Sequence, residues 1–194
     1  MAVLFVVAGL GNPGDRYDRT RHNVGAEVVK FLARAEDHSL VYRKSCNYLG
    51  TELKMDGVNV LLAFPQSFMN ESGRPLSCIL RRNPGVELTS LVVVHDELDL
   101  PLGSVRVKRG GGLAGHNGLK SVACHVGSND FIRVRIGIDR PRPGGDVSAW
   151  VLSRPSAKER DILDAAIENG AEAIRSIVRF GVDQTMNIFN VTTK

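Results

Sequence analysis

From Val3 to Ala8 the chain runs through six apolar residues, Val3-Leu4-Phe5-Val6-Val7-Ala8, and then enters Gly9-Leu10-Gly11-Asn12-Pro13-Gly14. A half-exposed strand alternates polar and apolar side chains, so an uninterrupted β-branched run predicts a strand covered on both faces. Covering both faces requires helices above and below, which makes an α/β arrangement the expectation, with this strand central and a glycine-rich loop at its end. Neither this run nor Leu91 to Val94 approaches the ~20 apolar residues of a membrane-spanning helix.

The remaining patterns fill in that arrangement. Val24, Val28, Phe31, Leu32 and Ala35 recur at helical spacing, and Tyr48 to Met55 and Val58 to Phe64 flank Asp56-Gly57, a type I′ hairpin signature. A helix is expected around Leu76, Ile79 and Leu80, stopped by Asn83-Pro84-Gly85, and Leu91 to Val94 reads as a second buried strand. Val105 and Val107 alternate with charges, as on an edge strand, and a loop from Gly110 to Gly118 precedes a short helix. Ile132, Val134, Ile136 and Ile138 share one strand face while Arg133 and Arg135 share the other. Ser156 and Glu159 have capping-box spacing at the head of a final helix that Gly181 closes. With 194 residues, the expectation is a single α/β domain over 1–194, a twisted mixed β-sheet with helices on both faces.

Charge and cysteines narrow the class. A formal net charge of +4 permits a polyanionic partner without establishing one, but between Arg106 and Arg142 eight basic residues face only Asp130 and Asp139. That imbalance predicts a local basic surface. Cys46, Cys78 and Cys124 are odd in number and widely spaced, which argues against a disulfide framework and a structural zinc site. Met1 to Phe5 carry no basic leader, so the expected location is the cytoplasm, with no membrane contact.

Gly9 to Gly14 matches G-x-G-x-x-G, the dinucleotide fingerprint, and makes a nicotinamide oxidoreductase the first alternative. That use needs a helix starting within the motif, and Asp15 to Arg21 has no apolar helical stripe. The loop can instead bring backbone and Asn12 close to a substrate, with Arg21-His22-Asn23 ahead of the next helix. Val94-His95-Asp96-Glu97-Leu98-Asp99 sets acids just after a buried strand, where open α/β sheets display catalytic groups. Asp96 can orient a histidine, although the sequence leaves open which acid turns inward. His95 and Asp96 point to opposite faces if the strand reaches them, so His95 reads as structural. The loop Gly110 to Gly118 lacks the Walker lysine spacing, and a metallohydrolase built on His22, His95, Asp96 and His116 lacks a recognised ligand spacing.

Taken together, Gly9 to Gly14 with Tyr17 and Thr20-Arg21-His22-Asn23, then Pro65 to Gly73, Val94 to Gly103 and Gly110 to Leu119, resemble the bacterial peptidyl-tRNA hydrolase family. The motifs recur in order from residue 3 to about residue 138 and continue more loosely through the final helix. The resemblance implies hydrolysis of the ester between a peptide, or an N-blocked aminoacyl group, and the tRNA 3′ end, freeing tRNA for translation. It implies that His22 activates water and Asp96 orients it. Asn12, Asn70 and Asn117 are implied to contact the peptidyl end or terminal nucleotide, with Tyr17 and Phe68 as nearby walls. Lys108 and Arg135 are implied to clamp the tRNA 5′-phosphate. No metal or other cofactor and a monomeric state are also implied.

Uncharged amides suit such a substrate, because they pair with a peptide group without attracting the free ammonium of an ordinary aminoacyl-tRNA. Two positions depart from the family pattern: Ser67 stands where threonine is usual, and Ala114 interrupts a stretch commonly all glycine. Similar proteins of plant organelles act in RNA splicing, which keeps a binding-only role as an alternative from another class. Nicotinamide binding, chelator sensitivity or RNA binding without turnover would each single out one of the rivals.

Overall fold

The computed structural model describes residues 4–191, so Val3 of the expected opening strand lies outside the described residues. The strands are β1 (Phe5–Gly9), β2 (Val41–Arg43), β3 (Tyr48–Met55), β4 (Val58–Pro65), β5 (Leu91–Glu97), β6 (Val105–Arg109) and β7 (Ile132–Gly137). They form one seven-stranded sheet in the order β2-β3-β4-β1-β5-β7-β6. The β1 strand runs parallel to β4 and β5, and β5 parallel to β7, while β2, β3 and β6 pair antiparallel with their neighbours. The sheet is therefore mixed, with β1 and the apolar run Leu91 to Val94 of β5 near its centre.

The helices are α1 (Val24–Ala35), α2 (Gly73–Arg82), α3 (Asn117–Val126), α4 (Val147–Val151), α5 (Ala157–Phe180) and α6 (Val182–Phe189). Val7, Val92, Val94, Val134 and Ile136 pack with α1 and α5 on one face, and Val6, Ala8, Leu91 and Val93 pack with α2 and α3 on the other. This alternation along each strand buries both faces, as the apolar runs require. The hairpin turns at Asp56 and Gly57, both at positive φ (48° and 81°), as a type I′ turn demands. Helix α5 opens with the Ser156–Glu159 capping box.

Cysteines bring one correction. Cys46 and Cys78 form a disulfide, with Cα atoms 5.5 Å apart, and Cys124 is free and exposed. Count and spacing along the chain do not report that the turn between β2 and β3 lies against α2, which is what brings these thiols together. Helices α4 and α6 and the short strand β2 add to the expected elements. Among the described residues no helix is long and apolar enough to cross a membrane.

Candidate active site

The carboxyl ends of the adjacent parallel strands β4, β1 and β5 converge on one edge of the sheet, the crevice where open α/β sheets hold their ligands. Two glycines bring α1 unusually near it. A Cβ on Gly9 would sit 2.3 Å from the Gly25 carbonyl oxygen, and one on Gly25 would sit 2.2 Å from that of Val94. The glycine motif after β1 thus serves helix–strand contact. Ahead of α1, a 3-10 turn at Arg21–Asn23 carries His22 over the end of β5.

There His22 meets Asp96. His22 Nδ1 lies 2.9 Å from each Asp96 carboxylate oxygen, and His116 Nε2 lies 2.9 Å from Oδ1. The network sets the tautomers. His116 caps α3 by accepting the Leu119 N–H at its Nδ1, so its hydrogen is on Nε2, which donates to Asp96. His22 likewise donates from Nδ1, which leaves its Nε2 lone pair free. Asp96 is 2 % exposed; burial alone would raise its carboxyl, but the two histidines, by charge and hydrogen bond, hold it well below the usual carboxylate range. Burial opposes charging of His22, and the Asp96 carboxylate overcomes that to raise its pKa above the ordinary value. A carboxylate-fixed imidazole of raised basicity can take a proton from water.

The pair opens on a cleft of about 700 Å³. Asn12, Asn70 and Asn117 all line it, as do Phe68 and His116. Asn12 is held on three sides: its N–H donates to Asn23 Oδ1 (2.9 Å), its carbonyl accepts from Asn23 Nδ2 (2.8 Å), and its Oδ1 accepts the Met69 N–H (2.8 Å). That leaves its NH₂ group as the uncommitted end among the described residues. Tyr17 packs edge-on against Phe68, with ring centroids 6.2 Å apart. Leu98, Val147, Val151 and Leu152 add an apolar part to its lining.

The comparisons with known proteins agree in direction. Residues 6–194 match the family described as peptidyl-tRNA hydrolase. The chain belongs to the peptidyl-tRNA hydrolase family. It is 46% identical over 183 residues to the peptidyl-tRNA hydrolase of Nocardia farcinica, covering 94% of each chain. It is 42% identical over 185 residues to that of Halalkalibacterium halodurans, covering 95% of this chain and 99% of the other. A crystal structure of peptidyl-tRNA hydrolase from Acinetobacter baumannii superposes with a TM-score of 0.91 at 33% identity, covering 98% and 96% of the two chains. The chain is thus an enzyme of this hydrolase class, with the mixed α/β fold of its relatives.

Within this peptidyl-tRNA hydrolase fold, Lys108 and Arg135 stand apart from the cleft, on β6 and β7 at the sheet's edge. Arg135 Nε donates to Glu97 Oε2 at 3.1 Å. His95 is buried on the sheet face opposite Asp96, its ring 5.0 Å from that of His116, and burial followed by the charge of His116 pushes its pKa down to about 3. Both departures from the family pattern carry a local cost: Ala114 adopts φ 48°, where a Cβ is strained, and Ser67 Oγ is buried without a hydrogen-bond partner among the described residues.

Three contributors escape sequence reasoning. His116 is legible from the sequence as a loop histidine and as a candidate metal ligand, but not as a partner of Asp96 or as the cap of α3. Arg21 stacks over Trp150, 3.8 Å from the ring centroid, and bonds Ser153 Oγ (2.7 Å) and Glu159 Oε1 (2.8 Å). It thereby pins the segment carrying that apolar lining beside His22. Asn23 fixes the Asn12 loop through both ends of its side-chain amide. His22, Asp96 and His116 also offer one donor atom each within 4.8 Å of one another, a set a divalent metal could use. At 2.9 Å, however, each facing nitrogen is already engaged with the carboxylate as a hydrogen-bond donor.

Proposed function

We propose that the chain cleaves the ester joining a peptide or N-blocked aminoacyl group to the 3′ end of tRNA, with His22 as general base and Asp96 as its orienting partner. The observation that carries this reading is His22 itself, lining an open cleft with Nδ1 committed to a buried carboxylate and Nε2 free. Water attacks the ester carbonyl carbon as Nε2 takes its proton, giving a tetrahedral oxyanion and an imidazolium stabilised by Asp96. Collapse breaks the bond to the ribose oxygen, which leaves with the proton returned by His22. General-base action supplies ~10² to 10⁴ in rate; positioning and donors around the oxyanion supply more.

Neutral amides supply those donors in this reading. The uncommitted NH₂ of Asn12 is suited to a peptide carbonyl, with Asn70 and Asn117 beside it, and none offers a charge to a free ammonium. Phe68, backed by Tyr17, forms an aromatic wall for the acceptor end. Lys108 and Arg135 hold the tRNA 5′-phosphate, since the Arg135 guanidinium retains donors beyond the Nε that meets Glu97. The whole chain acts as one catalytic unit, a monomer in the cytoplasm without a required cofactor.

The decisive test compares hydrolysis of N-acetyl-aminoacyl-tRNA with that of unblocked aminoacyl-tRNA, with and without chelator. Selective cleavage of the blocked ester that survives the chelator is expected. Loss of turnover on chelation, restored by zinc, would assign His22, Asp96 and His116 to a metal; RNA binding without turnover would leave a binding module.

A further inference from the structure

Four cations face one another across β6 and β7, and they are not equally provided for. The register sets Arg106 opposite Arg135 and Lys108 opposite Arg133, and like charges directly opposed on antiparallel strands repel. In the first pair both are engaged: Arg135 with Glu97, and Arg106 Nη1 with the carbonyl of Phe189 at 2.6 Å. The second pair differs. Arg133 is 2 % exposed and gives one N–H to the Gly112 carbonyl at 2.8 Å, yet its Nε and Nη2 meet no acceptor among the described residues. Lys108, on the exposed side, has no ion-pair partner among the described residues either.

The two unpartnered cations converge beneath the glycine-rich loop. A Cβ added to Gly111 would lie 2.7 Å from Lys108 Nζ and 3.2 Å from Arg133 Nη2, so both donors pack against Gly111, where a side chain would clash with them. A buried guanidinium with unmet donors is costly to maintain, and a second cation beside it compounds the cost. Burial, then the charge of Arg135, holds the Arg133 pKa below its ordinary value, although a guanidinium stays protonated. An anion with several oxygens would relieve both costs at once.

We propose that Arg133 and Lys108 form a phosphate seat beside Gly111, in which the buried Arg133 fork directs hydrogen bonds to two phosphate oxygens and Lys108 adds a point charge to a third. A planar fork with an adjacent ammonium matches a tetrahedral phosphate better than a flat carboxylate. The inference rests on the tRNA reading for the source of the phosphate and adds to Lys108 and Arg135 the one cation that is buried and unbalanced. Arg133 acts here as a binding residue and does not line the cleft of His22 and Asp96.

The test uses an acceptor-stem RNA hairpin without peptide, prepared with a 5′-phosphate and with a 5′-hydroxyl, against wild type, Arg133→Met and Arg133→Lys at low salt. Arg133→Met is expected to weaken binding of the 5′-phosphorylated hairpin roughly 10- to 100-fold, the range for losing hydrogen bonds to a charged group. It is also expected to raise the Tm of the free protein, because a charge waiting for its ligand is removed; an arginine with a merely structural role would give a lower Tm. Arg133→Lys keeps the charge but loses the fork, and an intermediate loss of binding is expected. If the effect vanishes on the 5′-hydroxyl hairpin the seat takes the terminal phosphate, and if it persists the seat takes an internal diester. Unchanged affinity in both variants overturns the inference, whatever their Tm. Failure of the tRNA reading looks different, because wild type itself then binds neither hairpin.

Discussion

Asp96→Asn preserves volume and packing while turning one acceptor oxygen into a donor, and the surrounding hydrogen bonds dictate how the site responds. Asp96 receives His22 Nδ1 at both oxygens and His116 Nε2 at Oδ1, each at 2.9 Å. His116 cannot change tautomer without losing the Leu119 N–H that its Nδ1 accepts, so it claims the amide oxygen. The amide NH₂ then falls at the position of Oδ2, 2.9 Å from His22 Nδ1. Two donors cannot share that contact, and the imidazole responds by carrying its hydrogen on Nε2, the atom needed to receive the proton of water. The negative charge that raises the His22 pKa is lost as well. Both effects act on the same atom, so they do not add, and turnover should fall by the full worth of a general base, ~10² to 10⁴ or about 3 to 5 kcal/mol of barrier. Single-turnover hydrolysis of N-acetyl-aminoacyl-tRNA measures this, with RNA affinity as the control for folding. The pH profile supplies a second check. His22 must be neutral to act, so wild-type kcat/KM should rise with pH through a midpoint above the ordinary histidine value of 6.5. In Asp96→Asn that limb should move to lower pH as its plateau drops. Turnover within about threefold of wild type, or a limb that stays in place, refutes the tautomer argument.

His22→Ala should retain fold and RNA binding while losing ~10² or more in turnover; comparable activity removes His22 from the base role. Asn12→Asp keeps an oxygen for the Met69 N–H but replaces the NH₂ with a carboxylate oxygen that attracts a free ammonium, so the ratio of blocked to unblocked hydrolysis should fall; an unchanged ratio transfers discrimination to Asn70 or Asn117. Reducing the disulfide between Cys46 and Cys78, 32 residues apart, should lower stability by about 4 kcal/mol from loop-closure entropy and Tm by about 8 to 15 °C, with kcat/KM little changed because neither cysteine lines the cleft. An unaltered Tm, in a sample whose thiol titration shows the bond opened, contradicts that expectation.

How much of the fold can be read from sequence depends on the length and burial of each element. Strand β1 and the first four residues of β5, Leu91 to Val94, declare themselves because a strand covered on both faces is built largely from apolar side chains, and the β3–β4 hairpin because Asp56-Gly57 occupies the two positive-φ positions of its turn. Helix α4 has five residues and β2 three, all of β2 exposed, too few to establish a period and too solvated to show a pattern. The disulfide belongs to a third kind: it depends on two elements meeting in space, and spacing along one chain carries no such information.

The same distinction separates the residues of the site. His22 and Asp96 stand in motifs that can be matched to a family by their order along the chain, so resemblance reaches them. His116 acts through two directions of one ring, capping α3 with one nitrogen and meeting Asp96 with the other, and only the assembled fold reveals that both are in use. Arg133 and Arg135 illustrate the limit most clearly. Strand alternation puts both on one polar face and treats them as equivalent. The Gly110–Gly112 segment then covers Arg133, while Arg135 stays half-buried against Glu97. One arginine therefore enters the folded state with its charge matched, and the other with two guanidinium nitrogens committed to nothing in the described chain. Since an unmatched buried charge lowers stability, its presence is explained most directly by a ligand that brings the missing oxygens. On that account the proposed seat divides the labour, with Arg133 and Lys108 fixing where one phosphate comes to rest and Arg135 adding attraction beside them.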